Sequence, residues 1–445
     1  MLTALLFMGF NLTSYLLALT RAPFWGLLAY LNIYFNSPTK GLNYWAVYLP
    51  DIRWSYLSAI VLIVSLFIHK DKLSKISAST LFWVFAFVIL TYITVYTGVI
   101  SQKEAMRYSS TLLTYCITMV IIIKSINHEE KYRIFILGII FFAANLSFKA
   151  YLYGVRVEDR LEGIGPADAS GANLFALLLA GIAPLTIPFL LQGKLYEKII
   201  CGISLPFILN AFILCNSRGS FVALVLSVIF VFIFMADNQI RKVLFVIILC
   251  SIPAFLYIAD DAFVNRLSTL IGVQSSIQDE AEIANISSGR TEIWSYGIEM
   301  AKDHPFGAGP NGFKNLARFY MPESVLTFHP SRGYGMRGAH NTYLQLIVEQ
   351  GILGLLIYLM ICMQSIKLIY KGFNYSKDNL FWKYNFLALG ISFISIMAGG
   401  MFSARVYYEY FWWQVAIIIV AYSFVKSKKN DSDINAEITV NKATY

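Results

Sequence analysis

The stretch that decides the fold is "RGAHNTYLQLIVEQGILG", residues 337–354, where a segment that contains Arg332 and Arg337 runs directly into an apolar helix. One histidine, His340, lies at the junction. From Asn341 the chain stays largely apolar to about residue 370, which exceeds the roughly 20 residues that cross ~30 Å of hydrocarbon. A polar group at the head of such a helix is costly without a partner, so His340 is a candidate functional residue.

The rest of the chain has the composition of a membrane protein. Of its 445 residues, 58% are hydrophobic and 14% are charged, whereas soluble proteins average about 25% charged residues. Each long apolar segment is predicted to be a helix, because lipid offers backbone groups no other partner. Besides 341–370, these segments are 2–20, 54–69, 80–100, 108–123, 133–153, 171–192, 199–215, 219–236, 243–259, 384–402 and 409–425. The predicted fold class is an all-α polytopic membrane protein with about twelve transmembrane helices.

The predicted domain organisation follows these segments. Residues 1–259 form a membrane domain of about ten transmembrane helices, 341–425 form the C-terminal transmembrane helices, and 426–445 form a polar cytoplasmic tail. The apolar stretch 22–35 is short for a crossing and is also compatible with a re-entrant or interfacial segment. If it does not cross, there are twelve spans and both termini are cytoplasmic. If it crosses, the N-terminus lies outside.

Basic residues set the orientation of the helices. Lysine and arginine clusters lie between predicted spans and mark cytoplasmic loops; they are 70–75, 194–198, 241–242 and 426–429. Because these charges are scattered, the net charge of +9 does not indicate a nucleic-acid partner. Alternation of the spans then places four segments on the outer side, namely 154–170, 216–218, 260–340 and 403–408. The chain is therefore predicted to be a multi-pass protein of a cytoplasmic membrane.

The outer segment 260–340 is the one large part predicted to lie outside lipid. At roughly 80 residues it is far longer than a usual connection, and such loops tend to be functional or disordered. Its helical pattern argues for an ordered, partly helical loop outside the membrane, on the side opposite the basic clusters. The pattern places Trp294, Ile298 and Ala301 on one helix face and suggests Ser288 as the N-cap.

Two of the arginines on this outer side, where positive residues are disfavoured, are candidate site residues. Arg218, in "NSRGSF", is wedged between two spans. Arg290, in "SSGRTEIW", is predicted to lie in the first turn of the loop helix, where the helix dipole disfavours a cation unless an anion binds beside it. Simpler interpretations are a snorkelling Arg218 and a surface Arg290. Because a guanidinium donates two hydrogen bonds at once, the pair indicates a site for a phosphate-type anion.

His340 is the candidate base of this site. It follows Arg337 and precedes Asn341 at the head of a helix, and both the nearby cation and the helix N-terminus disfavour its protonation. A neutral imidazole near pH 7 can accept a proton. The alternative is a capping or interfacial histidine.

Other polar residues are weaker candidates. The residues that share the outer side and are further candidates for lining the site are Arg160, Asp168, Asn173, Arg337, Asn341, Arg405 and Glu409. Glu349 is predicted instead to pair within the helix bundle. None of the five cysteines has metal-ligand spacing, and no pair of aspartates does either, so neither a metal nor a cofactor is predicted.

The motif around His340 resembles the O-antigen ligase family. It reads His340, Asn341, nine residues, Gly351, two residues, Gly354. About twelve spans, a large outer loop before the motif, and an arginine between two spans are also similar to that family. The wider superfamily includes O-antigen polymerases and bacterial protein O-oligosaccharyltransferases.

The resemblance implies an inverting, metal-independent glycosyltransferase of the C type in the bacterial inner membrane, with its active site on the periplasmic side. The implied donor is a glycan on undecaprenyl pyrophosphate, and the implied acceptor is lipid A core or another surface glycan. By position in the motifs, Arg218 and Arg290 bind the pyrophosphate and His340 activates the acceptor. Two other functions stay open: a polymerase that extends lipid-linked repeat units, and a transporter of lipid-linked sugars.

Overall fold

The structure, a computed structural model, describes residues 1–38, 43–74, 81–157, 160–235, 280–329 and 333–443, together with 237–238, 240–242 and 245–246. Helices form nearly all of its regular structure. In chain order they are α1 (Leu2–Thr20), α2 (Pro23–Phe35), α3 (Trp54–Ile68), α4 (Phe82–Thr97), α5 (Gln102–Ser125), α6 (Glu129–Tyr153), α7 (Ala172–Ile182), α8 (Ile187–Gln192), α9 (Leu195–Leu214), α10 (Arg218–Phe234), α11 (Glu280–Asp303), α12 (Gly312–Tyr320), α13 (Thr342–Tyr375), α14 (Leu380–Gly399) and α15 (Glu409–Ala443).

Short elements complete the described fold. Two antiparallel hairpins pair β1 (Arg156–Val157) with β2 (Arg160–Leu161), and β3 (Thr327–His329) with β4 (Gly333–Met336). Short 3₁₀ helices cover Tyr44–Tyr48, Lys70–Lys72 and Ala183–Thr186. The last of these joins α7 to α8, so that 172–192 runs as one long apolar unit.

Within the described residues, eight helices are long and apolar enough to cross a membrane, which supports a polytopic membrane protein. Shorter apolar helices cover Trp54–Ile68, Phe82–Thr97 and Arg218–Phe234. The remaining predicted span, 243–259, lies outside the described residues except for 245 and 246. The figure of about twelve spans, the domain boundaries and the periplasmic position of 260–340 stay predictions, as does the crossing of α2.

Helix α14 lies at the centre of the bundle. It packs against α7, α8, α10, α13 and α15. Two of its glycines permit this, since a Cβ on Gly399 would lie 2.0 Å from the side chain of Leu177, and one on Gly390 would lie 3.2 Å from Val231. Small residues allow such close approach of helices in membranes.

Helix α13 is bent at Gly351, whereas the sequence predicts a continuous helix from 341. Gly351 has φ 68° and ψ −178°, which divides α13 into a short helix, 342–350, and a long one, 352–375. A side chain is disfavoured here twice: the φ angle is left-handed, and a Cβ would lie 2.5 Å from the carbonyl oxygen of Pro305. Thus the first glycine of the histidine motif allows a bend.

The segment between α11 and α12, residues 304–311, fits into this bend. Ala308 and Gly309 donate their backbone N–H groups to the carbonyl oxygens of Val348 and Glu349, at 2.8 and 2.9 Å. In a straight helix those carbonyls would bond to residues further along α13. The loop therefore satisfies the groups that the bend releases, and it continues to α4 through a bond from Val99 N–H to Ala308 O, 3.1 Å long.

The predicted N-cap of helix α11 is wrong, because the helix already includes Glu280 and Ser288 lies inside it. Of the three residues predicted to share one face, Ile298 is 50% exposed, and the helix packs through Ile293 and Met300. These residues form a separate small core with α12 and with Val348 of α13.

The bend gives a first prediction. Gly351→Ala should lower the free energy of unfolding of the purified protein by about 1–3 kcal/mol. Alanine is strained at this φ, and its methyl group would clash with the 305–306 backbone. Unfolding followed by circular dichroism in detergent measures the change. The matched control is Gly202→Ala on α9, where a Cβ would meet nothing within 4 Å. Equal stability of the two variants would contradict the assigned role of the bend.

Candidate functional site

The candidate site lies at one end of the bundle, where the α9–α10 junction, the α14–α15 loop and helix α11 come together. The α9–α10 junction contacts the beginning of α7 through Ser217 and Asn173. The α14–α15 loop contacts both the beginning of α7 and the beginning of α13. Helix α11 packs over the beginning of α13. The residues singled out from the sequence are therefore carried by elements that are distant in the chain and adjacent in space.

Arg218 is the first residue of α10. Helix α9 ends at Leu214, so only residues 215–217 connect the two helices, as the sequence predicts. Asn216 makes the turn with φ 50°, and the side chain of Ser217 caps α10 by accepting the Ser220 N–H at 3.4 Å. The dipole of α10 disfavours a cation at this position unless an anion lies beside it.

Asn173 joins Arg160 to the head of α10. Its Oδ1 accepts hydrogen bonds from Arg160 Nη2 at 2.5 Å and from Ser217 Oγ at 2.8 Å. Its backbone carbonyl accepts one from Ser220 Oγ at 3.2 Å. Arg160 and Ser217 thus share one acceptor, and Ser217 is the residue before Arg218. Arg160 is therefore held next to the head of α10. The sequence singled out Asn173 without a role and did not indicate Ser217.

Arg290 joins these cations from the loop, although not as the sequence predicted. It lies in the third turn of α11 rather than in the first, so the helix dipole does not act on it as expected. Burial, and then the positive charges of Arg218 and Arg160, lower the pKa of the Arg290 guanidinium. The fold thus brings three like charges together, and an anion beside them would offset their repulsion.

His340 lies beside Arg290. Trp294, one turn further along α11 on the same face, donates its indole N–H to the carbonyl of Ala339 at 3.1 Å. Burial and the neighbouring charges of Arg290 and Arg337 lower the pKa of His340 to about 4. The imidazole is then neutral at pH 7. His340 also has a left-handed backbone, φ 48°, which is uncommon for a residue with a side chain.

The neighbours of His340 in the chain hold it in place. Asn341 is the N-cap of α13, and its Oδ1 accepts the N–H groups of Tyr343 and Leu344 at 2.9 and 3.1 Å. Its side chain is thus engaged with the helix, and the structure gives it a capping role. Arg337 donates from Nη1 to Thr327 Oγ1 at 3.3 Å, which connects it to β3.

Two acidic residues named from the sequence support the surrounding structure. Asp168 accepts hydrogen bonds from the Tyr34 hydroxyl at 3.0 Å and from the Glu409 N–H at 2.8 Å, so it caps the beginning of α15. Burial raises the pKa of Asp168. Glu409 accepts from the Tyr30 hydroxyl at 2.5 Å and from the Trp413 indole at 3.1 Å.

The prediction that Glu349 pairs within the bundle is confirmed. It is 0% exposed, and its carboxylate accepts hydrogen bonds from Gln345 Nε2 at 2.9 Å and from the Tyr407 hydroxyl at 2.8 Å. These contacts connect α13 to the beginning of the last helix.

The described cysteines are buried thiols in the helix bundle, as predicted for packing residues; they are Cys116, Cys201, Cys215 and Cys362. Cys250 lies outside the described residues. In the part of the chain that the structure describes, no three His, Cys, Asp or Glu side chains are grouped as metal ligands.

The fold and site together describe a polytopic helical membrane protein with arginines and one neutral histidine at one end of its bundle. The family model for O-antigen ligase matches residues 203–359, a segment that contains Arg218, Arg290 and His340. This match confirms the resemblance that the histidine motif indicated and supports an enzyme of the O-antigen ligase or polymerase type. No curated protein matched the chain in a sequence comparison.

The cap of α13 gives a second prediction. Asn341→Ala should destabilise the protein by about 1 kcal/mol, because two backbone N–H groups lose their acceptor. Asn341→Ser keeps an oxygen in reach and should stay close to the wild type. Thermal unfolding of the three proteins measures the difference. If the alanine and serine variants unfold together, Asn341 is not a cap.

The environment of His340 gives a third prediction. An NMR titration of histidine-labelled protein, with His340→Gln assigning the signal, should show the imidazole neutral until the pH falls towards about 4. Arg337→Gln should raise this pKa, because removing a nearby cation favours the protonated ring. Arg107→Gln, on an exposed part of α5, is the matched control and should leave it unchanged. A wild-type signal that titrates near 6.5, the usual value for histidine, would contradict the buried cationic environment.

Proposed function

We propose that this protein is an inverting, metal-independent glycosyltransferase in the bacterial inner membrane. It transfers a glycan from undecaprenyl pyrophosphate to an acceptor hydroxyl at the periplasmic face. The observation that carries the proposal is the meeting of Arg160, Arg218 and Arg290 beside His340; Arg218, Arg290 and His340 lie in the segment that resembles O-antigen ligase.

The arginines serve the leaving group. As the bond between sugar C1 and the phosphate oxygen breaks, negative charge grows on the pyrophosphate. Guanidiniums already fixed by the fold stabilise that charge more in the transition state than in the ground state. Arg218 and Arg290 are the proposed ligands, and Arg160 is held beside them by Asn173. Binding an anion also relieves the repulsion among these arginines.

His340 serves the acceptor. A neutral imidazole takes the proton of the attacking hydroxyl, whose oxygen forms the new bond to C1 as the bond to pyrophosphate breaks. Attack from the face opposite the leaving group inverts the anomeric carbon. General base catalysis of this kind contributes about 10²- to 10⁴-fold to a rate. The low pKa of free His340 should rise when the pyrophosphate binds, because the bound anion offsets the nearby cations.

The position of the site suits a substrate with a lipid tail. The helix bundle supplies a lipid-facing surface, and the end of the bundle supplies the charged groups, so a prenyl chain can remain in lipid while its pyrophosphate reaches the arginines. The proposed acceptor is lipid A core or another surface glycan. The runner-up function, an O-antigen polymerase, uses the same donor and the same arginines, with a lipid-linked acceptor. A transporter is less favoured, because the site residues gather at one end rather than at mid-membrane.

The fourth prediction tests the proposal in cells. The alanine variants His340→Ala, Arg218→Ala and Arg290→Ala should reach normal protein levels but fail to restore surface glycan in a strain that lacks the gene, while lipid-linked glycan accumulates. Removing the base or a transition-state ligand should lower the transfer rate by at least about 10²-fold. Gel analysis of the glycan and an immunoblot of the protein measure both. Arg107→Ala, an exposed arginine of α5, is the matched control and should complement fully.

The pattern of loss distinguishes the candidates. Loss of all glycan-capped core indicates a ligase, whereas loss of long chains with single repeat units retained indicates a polymerase. Full complementation by all three alanine variants would contradict a transferase site at these residues.

A further inference from the structure

Arg405, in the loop between α14 and α15, is a buried cation with unsatisfied hydrogen-bond donors. Only 2% of the residue is exposed. Its Nη2 donates a long bond of 3.4 Å to the carbonyl of Asn173, and its guanidinium carbon lies 4.7 Å from the ring centre of Tyr408. Its Nε and Nη1 make no hydrogen bond of normal geometry among the described residues, and the Tyr408 hydroxyl attracts the guanidinium. Buried polar groups normally have hydrogen-bond partners, so we expect a hydrogen-bond acceptor to bind beside this side chain.

No carboxylate among the described residues lies close enough to supply that acceptor. Asp168 attracts Arg405 through space, and its two oxygens accept hydrogen bonds from Tyr34 and from the backbone of Glu409. Glu409 Oε1 accepts hydrogen bonds from Tyr30 and from Trp413. Among the described residues, Arg405 forms no ion pair within 4.0 Å.

The loop that carries Arg405 spans the two halves of the candidate site. On one side, Thr342, two residues after His340, donates its N–H to Gly400 O and its hydroxyl to Ser403 O, both at 2.7 Å. On the other side, Phe402 packs against Gly219, the residue after Arg218, where an added Cβ would lie 2.8 Å from the Phe402 Cβ.

Asn173 makes the closest connection between Arg405 and the other arginines. Its backbone carbonyl accepts a hydrogen bond from Arg405, and its side chain accepts hydrogen bonds from Arg160 and from the cap residue Ser217. Arg405 therefore approaches the head of α10 from the interior of the bundle, and Arg160 approaches it from the loop after α6.

We propose that Arg405 is a further pyrophosphate-binding residue, which contacts the donor from the buried side of the site and selects a pyrophosphate over a monophosphate. This inference rests on the proposed function. A pyrophosphate has more charge and more acceptor oxygens than a monophosphate, so it can occupy Arg405 as well as Arg218 and Arg290. A monophosphate has too few oxygens to engage all three forks in the same way.

The experiment compares two lipid probes that differ only in their head group. Farnesyl pyrophosphate and farnesyl monophosphate are titrated by calorimetry into the full-length protein in nanodiscs. The wild type should prefer the pyrophosphate. Arg405→Gln should weaken pyrophosphate binding by about 10- to 100-fold, in the range of a lost charged hydrogen-bond pair, and should change monophosphate binding much less. Arg405→Lys keeps the charge without the planar fork, so its affinity for the pyrophosphate should lie between those of the wild type and Arg405→Gln. Arg107→Gln is the exposed control.

The ratio of the two affinities separates a binding role from a structural one. If Arg405→Gln weakens the binding of both probes equally, or of neither, the ratio of their affinities stays at the wild-type value and the proposal for Arg405 is overturned. In that case loss of pyrophosphate binding in Arg218→Gln and Arg290→Gln still supports the proposed function. If the wild type binds neither probe, both proposals fail. If Arg405→Gln does not fold, Arg405→Lys decides: a lowered ratio supports the proposal, and an unchanged ratio overturns it.

Discussion

Repulsion among like charges is the constraint on which this site depends. The fold brings Arg160, Arg218 and Arg290 to one end of an apolar bundle, and it buries Arg405 close by. Arg218 and Arg160 repel Arg290, and an anion bound beside the group would offset this repulsion. Polar anchors such as Asn173 hold the group in place. Burial, together with the charges of Arg290 and Arg337, lowers the pKa of His340, so Arg290 belongs to the arginine group and also acts on the candidate base.

The bend at Gly351 places the loop on the bundle. It releases two carbonyl groups of α13, and the segment 304–311 satisfies them. Helix α11 is thereby held over the beginning of α13, where Trp294 contacts the residue before His340. Without this contact the loop arginine and the histidine would belong to separate parts of the protein. The glycine of the motif is therefore structural, although it lies in the same motif as the candidate base.

The sequence predicted the apolar helices well, because their lengths and composition follow from the properties of lipid. It also predicted the short link before Arg218 and the internal pairing of Glu349. It failed at the start of α11, because Ser288 is only one of several polar residues that could begin a helix in this loop. Its reason for expecting an anion beside Arg290, the dipole of the first helical turn, is wrong, because the groups that act on Arg290 are arginines from distant segments.

By itself, the sequence determined that this is a multi-pass helical protein with a histidine motif of the O-antigen ligase type and arginines on one side of the predicted topology. These features are local: they need only hydrophobic run lengths, charge positions and residue spacing. The tertiary structure decided which arginines meet, why His340 is neutral, and that Arg405 lies buried beside the head of α10. Such features depend on contacts between residues far apart in the chain, and packing of the helices alone sets those distances.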